Sequence, residues 1–192
     1  MLKKRFVTKT FANFEIYSRK SPKKQTEVYE IAKDFAQNFS HHLQLGTWLL
    51  FSGSVGTGKS HLSAAVINEV VKQGHTCLYT KMHRLLREVK DTFNKNSHVT
   101  QNEVISHLEN VDLLIIDEIG VQFGTDTERM IIYDILDARY ENVKPIILTT
   151  NVTNLKVLEK LLGEKIIDRL YEKESRIITF HWESYRRLQT SQ

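Results

Sequence analysis

A chain of 192 residues fits one domain, long enough to bury about 70% of the surface its unfolded form exposes, so no disulfide or metal staple is needed. Its 41% hydrophobic and 26% charged residues exclude a disordered chain, and no run of about 18 apolar residues points to a membrane span. The net charge is +4, yet residues 1–24 hold eight Lys or Arg against one acid, Glu15, which leaves the remainder net acidic.

That basic N-terminal arm, 1–24, is either a solvated tail or a contact for a polyanion, because Lys and Arg at phosphates release condensed counterions. Helical spacing of Val28, Ile31, Ala32, Phe35 and Phe39 predicts a helix over 25–39, followed by an apolar strand over 48–51. A glycine-rich loop comes next, then a helix over 59–72 that Gly74 ends. A short β-rich run over 76–80 holds the lone cysteine, Cys77, which reads as a small buried hydrophobe in a reducing, cytoplasmic setting. A helix over about 82–94 follows. Thr100 and Glu103, and again Thr125 and Glu128, have capping-box spacing, so each pair opens a helix; the second buries Ile131, Ile132, Ile135 and Leu136. Strands are predicted over 112–117, 146–150 and 176–180, with short helices over 154–162 and 164–171. Five strands alternating with helices imply an α/β fold, a parallel sheet between helical layers, over 25–187, with 188–192 as a C-terminal tail.

Gly53-Ser54-Val55-Gly56-Thr57-Gly58-Lys59-Ser60 matches G-x-x-x-x-G-K-[ST], and it lies between a strand and a helix as a phosphate-binding loop must. Glycines let backbone N–H groups turn toward phosphate, Lys59 reaches the β- and γ-phosphates, and the Ser60 hydroxyl is a ligand for Mg2+. ATP is the expected nucleotide. The strand Leu113-Leu114-Ile115-Ile116 ends in Asp117-Glu118, a Walker B pattern. Asp117 would hold the magnesium shell, and Glu118 would activate the water that attacks the γ-phosphate. Asn151, after Thr149-Thr150, is either a sensor of the γ-phosphate or lytic water, or a helix cap. Glu118 beside Asp117 favours hydrolysis over transfer to a small-molecule acceptor.

Several segments together resemble the DnaC branch of the AAA+ ATPases, the loaders of bacterial replicative helicases, and their IstB-like transposition-helper relatives. These are Thr10-Phe-Ala-Asn-Phe14, the phosphate loop with His61-Leu62, Lys90-Asp-Thr-Phe93, Asp112 to Gln122, Leu161 to Leu170, and Trp182-Glu-Ser-Tyr-Arg186. The resemblance implies a sheet of order 5-1-4-3-2, nucleotide contacts that include His61, and self-association on ATP and DNA. It implies an arginine finger given to a neighbouring subunit, here Arg169. It also implies single-stranded DNA binding at Phe93, Thr125 and Thr127. Lys81, Arg84, Arg87, Lys90 and Lys95 surround Phe93 with positive charge, although a solvated helix with Phe93 in the core would give the same pattern. The partner implied is a hexameric replicative DNA helicase; loaders of this type grip it through an N-terminal domain, whereas the resemblance here starts at Thr10. The alternatives are a transposition helper on duplex DNA and an ATP-switched adaptor that does not hydrolyse.

Overall fold

The computed structural model describes residues 4–94, 98–120 and 125–189. Lys95 and Gln122, named above, lie outside the described residues, as do 1–3 and 190–192. The elements in order are α1 (Lys4–Val7), α2 (Pro22–Gln37), α3 (Phe39–Leu45), β1 (Trp48–Gly53), α4 (Lys59–Lys72), β2 (Cys77–Lys81) and α5 (Met82–Asp91). They continue with α6 (Gln101–Asn110), β3 (Leu113–Ile119), α7 (Asp126–Glu141), β4 (Ile146–Thr150), α8 (Leu155–Leu162), α9 (Glu164–Arg169), β5 (Arg176–Phe180) and α10 (Tyr185–Gln189).

The five strands form one parallel sheet of order β2-β3-β4-β1-β5, which is the expected 5-1-4-3-2 read from the other edge. Parallel strands covered on both faces need apolar side chains on both, and β1 is buried at every position. Alternation divides them. Leu49, Phe51, Ile115 and Ile147 meet α2 and α4 through Phe35, Leu62 and Val66, while Leu50, Ile116 and Leu148 meet Leu86, Ile135 and Ile166 on the other face. A three-layer α/β P-loop fold of AAA+ type results.

Both capping boxes form, and α7 buries Ile131, Ile132, Ile135 and Leu136 as their spacing predicts. The helix expected over 25–39 starts earlier, at Pro22, whose fixed φ suits a first helical turn. It breaks at Asn38, and α3 carries the chain on to Gly46. The third strand runs past its two acids to Ile119, because a bulge between Ile116 and Ile119 absorbs them within the pairing to β4.

The basic segment 1–24 does not hang free over its described part. Phe11, Phe14 and Tyr17 pack on the α2/α4 core. The Asn68 amide donates to the carbonyls of Phe6, Val7 and Lys9 at 3.3, 3.2 and 2.7 Å. Buried Gln25 accepts from Tyr17 N–H at 3.0 Å and from Ser18 N–H at 2.8 Å.

At the sheet's other end Arg139, fully buried, donates to the carbonyls of Leu108, Glu109 and Val111 from Nη1 and of Asp112 and Pro145 from Nη2. One guanidinium thus ties the end of α6 to the starts of β3 and β4. Burial pulls its pKa down to about 9, with Asp112 and Glu109 opposing.

Candidate nucleotide site

The phosphate loop leaves the C-terminal end of β1 in the sheet's interior, where ligands of open α/β sheets bind. Gly56 and Gly58 hold φ of 83° and 101°, the left-handed region that favours glycine. Space also forbids a side chain: a Cβ on Gly56 would lie 2.0 Å from Ser184 Oγ, and one on Gly58 2.7 Å from Phe14. The loop is braced from behind by the Trp182-to-Arg186 segment. Trp182 Nε1 donates to Thr57 O at 2.9 Å, and Tyr185 N–H to Gly56 O at 3.0 Å.

Lys59 is buried and folded back, donating to Gly53 O at 2.5 Å and Ser54 O at 2.8 Å. Burial lowers its pKa to about 8; Asp117 opposes that shift and Arg186 adds to it. An ammonium resting on loop carbonyls is the group that phosphate oxygens would recruit, so the residues present fit a nucleotide.

Asp117 is 2% exposed and lies at the centre of a hydroxyl network. Ser60 Oγ approaches its two oxygens at 3.2 and 3.4 Å, and Tyr79 and Thr149 donate short hydrogen bonds to it. Burial and then Asp117 itself push the Tyr79 phenol well above its ordinary range, so it stays a donor. A carboxylate and a hydroxyl side by side fit Mg2+, which takes few protein ligands and keeps waters and phosphate oxygens for the rest. Among the described residues no cluster of three or more His, Cys, Asp or Glu could hold a metal alone.

Glu118 occupies the bulge at φ 64°, a conformation costing a non-glycine residue about 1–3 kcal/mol and found most often at functional sites. Its N–H is held by Asp117 Oδ1 at 3.1 Å and Thr149 Oγ1 at 3.2 Å. Its carboxylate pairs with Lys81 Nζ at 2.5 Å, across the edge where Lys81 stands opposite Asp117. Asn151 lies on the same cavity of about 560 Å3, as do Val55, His61, Arg186 and Phe14. The cap of α8 is Asn154, not Asn151. His61 Nε2 lies 3.0 Å from both Thr10 O and Asn13 Oδ1 and meets Phe14 edge-on, so it fastens the N-terminal segment beside the loop. Burial lowers its pKa below the ordinary histidine value, and the Thr10 carbonyl opposes that shift.

A family model described as "IstB-like ATP binding protein" matches residues 4–192. The chain belongs to the IstB-like ATP-binding family. Replicative helicase loader DnaC of Buchnera aphidicola (subsp. Baizongia pistaciae) is 37% identical over 84% of this chain, and that of Escherichia coli K12 is likewise 37% identical over 84%. This chain spans 64% of the length of each of these relatives. A crystal structure of the DnaC helicase loader, 23% identical, superposes with a TM-score of 0.79 over 92% of this chain and 99% of that one, which shows the shared fold.

The family's expected DNA residues lie away from the nucleotide cavity. Phe93 is 54% exposed, not in the core. Thr125 is the α7 cap, its hydroxyl accepting from Glu128 N–H at 3.3 Å, and Thr127 is exposed in the first turn. Lys90 Nζ reaches Glu128 at 2.6 Å and joins α5 to α7 beside them. A cleft lined by His83, Arg87, Lys90 and Thr125 opens there.

Arg169 does not face its own chain's nucleotide cavity. It lines a smaller cavity of about 270 Å3 with Trp48 and Tyr140, at the opposite end of β1 from the phosphate loop, which a six-residue strand sets roughly 15 Å or more away. Sequence reasoning gave Tyr79 no role, took Thr149 only as part of a polar strand end, and set Lys81 among the charges around Phe93 rather than beside Glu118. Their only signal was position, since parallel neighbours that end level with Asp117 must surround it.

Proposed function

We propose that this chain is an ATPase whose nucleotide state governs the loading or remodelling of a replicative DNA helicase on single-stranded DNA. The observation that carries the reading is the convergence of Lys59, Ser60, Asp117, Glu118 and Asn151 on one cavity. The similarity to DnaC loaders supports the helicase as partner.

In the proposed reaction, loop N–H groups and Lys59 bind the phosphates. Ser60 and Asp117 would hold Mg2+, which would supply charge neutralisation. Glu118, half-exposed and one residue beyond, takes the proton of the attacking water, and Asn151 orients that water or the γ-phosphate. Arg169 neutralises charge on the γ-phosphoryl group bound by a neighbouring copy, so the active form is a homo-oligomer assembled with ATP. Phe93 stacks on a base, while Thr125 and Thr127 lie along the strand's backbone.

ATP turnover measured with and without single-stranded DNA, for the natural chain and Glu118→Gln, tests the hydrolytic reading. Equal turnover by the two would sink it. Capture of the helicase with ATP and its loss after turnover supports loading. The family model's name favours a second reading, a transposition helper, for which duplex DNA should outcompete single strands. Nucleotide binding without turnover in any of these mixtures would leave an adaptor.

A further inference from the structure

The cation that the proposed reaction requires from a neighbour is stowed inside its own chain. Arg169 is 6% exposed, its Nη2 lies 2.5 Å from Asp137 Oδ1, and its guanidinium carbon sits 3.8 Å from the centre of the Tyr140 ring. Yet Nη1 is buried with no hydrogen-bond partner among the described residues. A buried charge-bearing N–H left unpaired costs free energy, so the stowed state is held but not fully satisfied.

A second cation stands ready on the same oxygen. Lys165 Nζ lies 3.3 Å from Asp137 Oδ1, and its side chain is largely exposed. Arg169 first and Lys165 second hold the Asp137 carboxyl below its ordinary range. If Arg169 leaves, the carboxylate keeps a partner. Both cations belong to α9, while Asp137 and Tyr140 belong to α7, the helix that Thr125 caps. The cavity beside Arg169 gives the guanidinium a way out, and Tyr171, two residues on, is 62% exposed.

We propose that Asp137 is a positioning residue that keeps Arg169 withdrawn, and that exchange of its partner from Arg169 to Lys165 releases the guanidinium toward the nucleotide of a neighbouring copy. This rests on the reading of Arg169 as a trans-acting finger. Contact between copies, not ATP binding alone, would then set the rate. Removing Asp137 takes away the one side-chain hydrogen bond that the described residues give the Arg169 guanidinium and leaves it on the Tyr140 ring, a state that favours solvent or a phosphate over the interior.

The experiment measures ATP turnover against protein concentration for the natural chain, Asp137→Asn and Lys165→Met, with nucleotide affinity measured in parallel. Asp137→Asn should turn over about fivefold faster at concentrations where self-association is partial, the low end of the usual coupling between sites, with nucleotide affinity unchanged. Lys165→Met should be slower than the natural chain, because Asp137 then has Arg169 alone. A folded Asp137→Asn with equal or lower turnover overturns the proposal. Should that variant fail to fold, equal or higher turnover by Lys165→Met overturns it instead. Arg169→Ala separates the two layers: if it retains full turnover the finger reading fails, whereas loss of turnover there without a gain in Asp137→Asn refutes only the stowing by Asp137.

Discussion

Both ends of the sheet bury charge, and they satisfy it differently. At the C-terminal end Lys59 rests on two loop carbonyls, Asp117 gathers hydroxyls, and Glu118 stands at φ 64° with, among the described residues, Lys81 alone on its carboxylate. At the N-terminal end Arg139 is pinned by five carbonyls, and Asp112 accepts from Thr76 N–H and Oγ1, both at 2.9 Å, with Lys144 nearby. Charge tied to many backbone groups, as Arg139 is through both Nη atoms although its Nε has no partner among the described residues, holds the fold together. Charge held loosely, on groups a ligand can replace, is available for chemistry.

The largest test of that division is Glu118→Gln. Loss of a general base costs about 10²–10⁴ in rate, so turnover should fall by that much while nucleotide affinity and the melting temperature stay near the natural values. A stability loss comparable to the activity loss would place Glu118 among the structural charges instead. Arg139→Met is the mirror experiment. Leaving the carbonyls of Leu108, Val111 and Pro145 unmet should destabilise by about 3–5 kcal/mol, on the order of 10 °C, with turnover per folded molecule unchanged. Calorimetry beside an activity assay decides it, and a well-folded but inactive variant would break the comparison.

Lys59 supplies the intermediate effect through pH. Burial holds its pKa near 8 when it rests on the loop, below the ordinary 10.5, and phosphate oxygens favour the charged form. Above pH 8 the nucleotide-free site loses its proton, so binding must take one up. Affinity for ATP should therefore weaken as pH rises from 8 toward 10.5, by up to about tenfold per unit, and be flat below 8. Binding heats in two buffers of different ionisation enthalpy should show proton uptake at pH 9 and none at pH 7. Equal heats at both would mean that Lys59 stays charged throughout.

How much of this was legible depended on whether partners lie along the chain or across it. The phosphate loop is eight consecutive residues, and the two capping boxes span four each, so spacing alone located them. The apolar run over 48–51 likewise marked a buried strand, whose Leu49 and Leu50 the structure places on opposite faces. What spacing could not show was who meets whom across the sheet. Tyr79 and Thr149 reach Asp117 from 38 and 32 residues away, and Arg169 reaches Asp137 from 32. The N-terminal segment was read by its charge, but its aromatic residues, Phe11, Phe14 and Tyr17, decide its place. Bulge and backbone strain at Glu118 came from pairing with β4, for which the strand's own residues carry no sign.

The smallest effect concerns Lys81, which belongs to neither class cleanly. Its ammonium lies 2.5 Å from Glu118, yet both side chains are partly exposed, at 29% and 41%. Pairs of that exposure contribute about 0–1 kcal/mol, so their removal changes a rate at most about fivefold. In the proposed reaction Glu118 accepts a proton from water, and a cation on its Oε1 makes it a weaker base; Lys81 is also the last residue before α5, the helix that leads to Phe93. Lys81→Met should accordingly raise turnover in the absence of DNA by about two- to fivefold and flatten any response to DNA, while Lys81→Arg keeps the natural behaviour. A drop in turnover for Lys81→Met would mean that the pair aligns Glu118 for catalysis. In that case even a loosely held charge at this end of the sheet serves to position its partner, and looseness by itself no longer separates the two ends.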